Sequence, residues 1–260
     1  MTHGKTLKQR PSFPARLDSG ARPALPGVTR PGLKTAHAAA PGHGLDSSAV
    51  RASMVAKLAQ GGITDRNVLA AFNKVERHRF VDSALVNQAY EDTSLPIGLG
   101  QTISKPGVVS RMLELLMHGK TQKLGRVLEI GTGCGYQAAL LSQLAREVYS
   151  IERLRGLHEK ARDNLRTMRL ANVHLLLGDG MAGYAKGAPY AAIIAAAGGD
   201  ALPEAWLDQL AVGGRLVAPV QVPGGKAGQQ SLMVVDRGIA GYTQSILEPV
   251  LFVPLKSGVV

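Results

Sequence analysis

A single cysteine, Cys134, occurs in the 260 residues, so no disulfide can close within the chain, and a reducing compartment, the cytoplasm, is expected. Aromatic residues are scarce at 4%, which leaves the Ala, Leu and Val of a 45% hydrophobic composition to build the core. Basic and aromatic residues therefore do not interleave as a stacking platform for nucleic acid requires, and no specific nucleic-acid partner is expected despite a net charge of +11. Apolar runs fall short of the ~18 residues that a bilayer-spanning helix needs, so no membrane partner is expected. The N-terminus lacks the apolar stretch of a secretory signal. The seven histidines show no metal-ligand spacing, and no metal is expected.

The positive charge is unevenly spread. Residues 1–50 hold seven Lys/Arg against Asp18 and Asp46, a net +5. Residues 1–46 also contain six prolines and six glycines with few large apolar groups. Such a segment cannot bury enough surface to offset the entropy of ordering, so 1–46 is read as a disordered basic extension and 47–260 as the folded domain. Solubility and weak steering of anions account for the charge. Deleting residues 1–45 should leave the melting temperature nearly unchanged. A large loss of folded protein in a thermal melt would show that the extension packs on the domain.

Order is expected to begin at "SSAVRASMVAKLAQGGI", where Ser47 or Ser48 caps a helix with Val50, Met54, Val55 and Leu58 on one face and Gly61-Gly62 ends it. A second helix follows Thr64-Asp65, with Val68, Leu69, Phe72 and Val75 on its apolar stripe. "AYEDTSLPIGLGQTISKPG" then reads as a long functional loop, and Pro106 starts a helix that buries Val109, Met112, Leu113 and Leu116. From residue 126 strands and helices alternate: "RVLEI", a helix over 134–145, "VYSIE", a helix over 154–169, "VHLLL", "YAAIIAAA", "PEAWLDQL" as a helix, and "GRLVAPV". Apolar strands alternating with helices predict a mostly parallel sheet covered on both faces, an α/β Rossmann-like three-layer sandwich with an N-terminal helical cap. "SLMVVDRG" and "PVLFVPL" are expected to add antiparallel edge strands.

"VLEIGTGCGYQAA" is a buried strand, a glycine turn and a helix start. Gly131, Gly133 and Gly135 permit close approach of backbone to a ligand, and the free amides of the helix attract polar groups. Glu152 ends the next strand 21 residues after Gly131, where a carboxylate can hold both hydroxyls of a ribose. Together, turn and acid point to a nucleoside-containing ligand. Gly133–Ala138 also fits the dinucleotide pattern G-x-G-x-x-A, but Glu129 would face a pyrophosphate unfavourably and would suit a cationic ligand such as S-adenosylmethionine.

"VLEIGTGCGYQAALL", "SIER", "LLLGDG", "GGRLVAPV" and "FVPL", preceded by "HRFV", "AYEDTSLPIGLGQTIS" and "KPGVVSRMLELL", resemble in content and order the protein-L-isoaspartate O-methyltransferases. The resemblance runs over about residues 50–255, and its most specific segment is "GQTIS". It implies a class I methyltransferase fold and S-adenosylmethionine as methyl donor. It further implies a donor site including Glu129, Gly131, Thr132, Gly133, Gly135, Glu152 and Arg153, with Asp179 and Gly180 near the adenine. Thr102 and Ile103 are to close over the site, and Ser104 is the implied catalytic residue. The implied reaction methylates the free α-carboxylate of L-isoaspartyl residues in damaged proteins, by a monomer. The alternatives are a methyltransferase of a small molecule or RNA on the same fold, and a catalytically silent binding protein.

The sequence departs from the family pattern at three places. Cys134 stands where the family has Ser, and at a helix N-terminus its thiol pKa is open to lowering, although packing is the favoured reading. Ala191 replaces an acid, which puts one donor-side or packing contact in doubt, and Gly107-Val108 follow Pro106 where bulkier or polar residues are usual.

Overall fold

Asp65 begins the first well-capped helix: its carboxylate accepts from the amides of Asn67 and Val68, satisfying two of the donors that every helix leaves open at its start. The computed structural model describes Met1 and residues 48–222 and 228–260, and the described residues from Ser48 onward belong to one compact unit. Apart from Met1, the extension read over 1–46 lies outside the described residues, as does Ser47.

The N-terminal helices are α1 (Ser48–Gln60), α2 (Arg66–Lys74) and α3 (Pro106–Met117). Met54 and Leu58 of α1 are buried, with Val50 and Val55 packed beside them. Val68, Phe72 and Val75 are fully covered, as are Met112, Leu113 and Leu116 of α3. Fully burying each such side chain contributes about 1.5–3 kcal/mol, which holds this cap on the sheet.

The segment expected as an open loop contains a short antiparallel hairpin, β1 (Leu95–Gly98) paired with β2 (Gln101–Ile103). Its turn, Gly98-Leu99-Gly100, holds three successive residues at φ 98°, 52° and 69°, a conformation two glycines accept and one leucine tolerates. Polar and glycine content hid the strands; the turn geometry makes them.

The central sheet runs β3 (Leu124–Ile130), β4 (Ala145–Glu152), β5 (Val173–Leu177), β6 (Tyr190–Ala195), β7 (Leu210–Gln221), β8 (Gln230–Gly238) and β9 (Gly241–Val250). Their spatial order is β5-β4-β3-β6-β7-β8-β9. Strands β3 to β7 are parallel, and β8 and β9 are antiparallel additions. The chain moves outward from β3 through β4 to β5, then returns to place β6 on the other side of β3. The carboxyl end of β3 is thus a topological switch point, where this architecture opens a crevice.

Helices α4 (Tyr136–Leu144) and α5 (Arg155–Arg166) cover one sheet face with the N-terminal cap. The short α6 (Glu204–Gln209) covers the other face, where Trp206 packs against a second cluster that includes Leu128, Ile193 and Leu216. The last strand differs from expectation. β9 occupies 241–250, and of "PVLFVPL" only Pro249-Val250 belong to it. Most of β9 is exposed, so no apolar alternation announces it; backbone pairing with β8 defines it.

Candidate active site

At the end of β3 the amides of Gly131 and Thr132 both turn back to the Ile151 carbonyl, at 2.9 and 3.2 Å, and bind the glycine turn to β4. Gly131, Gly133 and Gly135 lie at φ 89°, 56° and 90°. Gly135 is the left-handed N-cap of α4 and offers no side chain, so the helix start has no side-chain cap of its own. Gly180 is required for a different reason: a Cβ there would stand 2.6 Å from Ile130 Cγ2.

Thr102, Ile103, Ser104, Gly131, Thr132, Gly133, Glu152, Arg153 and Gly180 line a single cavity of about 480 Å³. Nine of the twelve residues expected at the site are therefore brought to one cleft from four separate parts of the chain. The volume falls within the roughly 300–1,000 Å³ of small-molecule sites. Glu129, Gly135 and Asp179 are not among the lining residues.

Glu152 is 5% exposed, and its two oxygens accept from the amides of Gly133 and Leu154, each at 2.9 Å. The carboxylate thus both borders the cleft and fixes the glycine turn. Glu129 is wholly buried beside it. Ser150 Oγ donates to Glu129 Oε2, and Ser150 is linked to Thr132 Oγ1 at 2.6 Å. Glu129 Oε1 is buried without a hydrogen-bond partner. Burial pushes this carboxyl up to about 8, with the Ser150 hydrogen bond and the nearby Gln137 amide opposing and the nearby Glu152 adding to the rise.

That shift carries a pH consequence. Unfolded, the carboxyl ionises near 4.5; folded, it keeps its proton until about 8. Between those values the folded state binds more protons than the unfolded state, so this group's contribution to stability falls as pH rises across the window. Without ligand, thermal melts of Glu129→Gln should therefore lose less stability than the parent between pH 5 and 8. Parallel melting curves across that range would show that Glu129 is ionised in the fold.

Asp179 serves a structural purpose. Its Oδ1 accepts from the Met181 amide at 2.9 Å and its Oδ2 from the Gly258 amide at 2.7 Å. The Arg153 guanidinium donates to the carbonyls of Gly258 and Ser257, at 3.0 and 3.3 Å. Backbone bonds join Val260 to Arg153 and Arg155. These contacts draw the last residues along the end of β4, so that Val253–Lys256 form one wall of the cleft. The sequence signal for that wall was "FVPL", read as a strand; its length and apolarity were visible but its destination was not. Gln137, Tyr136 and Ala196-Ala197 also line the cleft and were missed, although the last pair follows β6 at the switch point, where lining residues are expected.

Cys134 is buried at 3% exposure, and desolvation raises its thiol to about 11 against opposing contributions that include the Tyr136 amide and Arg77. The helix N-terminus does not lower it, which corrects that possibility and leaves a packing role. Ala191 sits beside Gly125 near the start of β6, outside the cleft lining. Its loss of an acid therefore does not alter the pocket wall.

Ser104 precedes α3, but the N-cap is Lys105, and no side chain of that residue caps the helix. Asp92 instead accepts from the Gly107 amide at 2.6 Å, from the loop ahead of the hairpin. Ser104 lines the main cleft and also an adjoining pocket of about 430 Å³ bounded by Ser94, Lys105, Val108 and residues 249–252. It borders both compartments.

Comparisons with known proteins agree with this arrangement. Residues 49–260 match the family described as Protein-L-isoaspartate(D-aspartate) O-methyltransferase (PCMT). A protein-L-isoaspartate O-methyltransferase of Methylibium petroleiphilum is 54% identical over 95% of this chain and 96% of its own. That of Leptothrix cholodnii is 60% identical over 84% of this chain and 77% of its own. A solved protein-L-isoaspartate O-methyltransferase, 27% identical, superposes with a TM-score of 0.71 over 80% of this chain and 66% of that one. A Plasmodium falciparum structure described as a putative enzyme of this kind in complex with S-adenosyl-L-homocysteine shares the fold at 23% identity and a TM-score of 0.69, over 79% and 98%. With a glycine turn at the switch point, a buried acid pair beneath it and a family match spanning the whole folded unit, the chain belongs to the protein-L-isoaspartate O-methyltransferases.

Proposed function

We propose that the chain transfers a methyl group from S-adenosylmethionine to the free α-carboxylate of L-isoaspartyl residues in damaged proteins, as a cytoplasmic monomer. The observation that carries the reading is the position of Ser104, shared by the cleft and the pocket next to it, so that donor and acceptor can meet there. The cleft fits the donor chemically. An unpartnered buried carboxylate oxygen, Glu129 Oε1, lies beside residues that line the cavity, and a cation brought near it draws the carboxyl toward its ionised form. Glu152 supplies acceptors for ribose hydroxyls, and the open amides at the start of α4 supply donors.

The donor, when bound, supplies an electrophilic methyl on a sulfonium centre. A peptide carboxylate of ordinary pKa near 4 is ionised at neutral pH, so no side chain need remove a proton from the attacking oxygen. The work left to the protein is positioning. Ile103, 4% exposed, anchors the hairpin over the cleft, and Ser104 offers one hydroxyl donor where the cleft and the adjoining pocket share a wall. Lys160 Nζ ties the hairpin down by donating to the Ile97 carbonyl at 2.9 Å and to Asp82 at 3.0 Å. The hairpin so held can press the carboxylate against the donor. The methyl ester so formed cyclises unaided to a succinimide as the following backbone nitrogen attacks it and methanol leaves, giving the residue on hydrolysis a path back to normal aspartate.

The test incubates purified protein with labelled methyl donor and two peptides that differ only in an isoaspartyl or aspartyl linkage. Label should enter the isoaspartyl peptide alone. Equal labelling of both, or transfer only to RNA or a small molecule, would overturn the substrate assignment.

A further inference from the structure

The pocket beyond Ser104 does not end at the hairpin. It shares Lys105, Val108, Pro249 and Val250 with a larger hollow of about 710 Å³ that extends to α1 and the Gly61-Gly62 turn. Met54, Leu58, Ile63 and Leu232 give this hollow a buried apolar floor. Its charged groups are Lys57, Lys105, Arg111, Asp92 and Glu248.

Three of those charges are already engaged. Arg111 Nε donates to Glu248 at 2.8 Å, and its Nη1 lies 3.5 Å from Glu114. Asp92 accepts from the Gly107 amide. Lys57 and Lys105 are exposed and make no ion pair or side-chain hydrogen bond among the described residues. An uncompensated positive charge therefore stands beside Ser104, and a second stands at the far wall of the same groove. A basic segment is repelled from such a groove and an acidic one attracted, because exclusion of one charge sign is as much a part of selectivity as attraction of the other.

We infer that the groove from Ser104 to α1 binds the residues flanking the modified site in an extended peptide, and that Lys105 and Lys57 select acidic side chains there. The inference rests on the isoaspartyl reading above and adds to it which damaged sequences are preferred. Lys105, adjacent to Ser104, reads the nearer flanking position, and Lys57 a more distant one.

Steady-state kinetics of the full chain with isoaspartyl hexapeptides carrying Glu, Gln or Lys at each flanking position provide the test. KM should be lowest for Glu and highest for Lys, by about threefold and at most roughly fivefold per position, the size of an exposed charge pair, with kcat little changed. Raising salt to about 0.5 M should compress the series, since exposed charges are screened. Lys105→Glu should invert the order at the near position and Lys57→Glu at the distant one, each in protein with a parental melting curve. Equal KM values for all three peptides, or an order unchanged in both variants, would overturn the inference. So would a Lys105→Glu variant that loses kcat on every peptide alike, because that lysine would then shape the reacting site. Failure to methylate any isoaspartyl peptide would instead remove the underlying reading, and the inference with it.

Discussion

Ser104→Ala should lower the methylation rate of an isoaspartyl peptide by roughly a hundredfold, since a misplacement near 1 Å of a reacting group costs about that much. The melting temperature should hardly move. Ser104 is not the cap of α3, whose N-cap is Lys105 and whose Gly107 amide is served by Asp92, so its hydroxyl is free of a structural duty at the helix start. No histidine or acid adjoins it in sequence to activate it, so the role proposed for it is to hold and shape, not to act as a covalent nucleophile. Turnover and a thermal melt on the same variant decide the matter. Near-normal turnover in a destabilised protein would take Ser104 out of the active site.

Glu152→Ala should weaken donor binding tenfold or more. Two charge-assisted hydrogen bonds to the ribose, about 1.5–3 kcal/mol each, would be lost. The structure adds a second effect. The Gly133 and Leu154 amides both rely on this carboxylate, so the alanine variant should also melt lower and hold a looser glycine turn. Glu152→Gln separates the two, because it keeps an acceptor for one amide while removing the charge. Calorimetry on both variants should find donor affinity reduced in each, with the greater loss of stability in the alanine variant. Unchanged affinity in both would leave Glu152 a structural acid of the turn.

Much of this molecule was readable from its chain. Helix α3 starts at Pro106 and buries Val109, Met112, Leu113 and Leu116, as 3.6-residue spacing dictates. The second half of β3 and nearly all of β6 are buried runs because central parallel strands are covered on both faces. The glycine turn and Glu152 were legible because their spacing is set by one strand–helix–strand unit, a local property. Tertiary structure decided what depends on distant partners. Arg153 and Asp179, expected at the donor site, also hold Gly258, which lies 105 and 79 residues further along the chain from them. Glu129 is raised by burial, and Cys134 likewise, since desolvation depends on what packs around a group and not on its neighbours in the chain. The hairpin over the cleft and the exposed strand β9 arise from backbone pairing, which needs no apolar pattern and so leaves none to read.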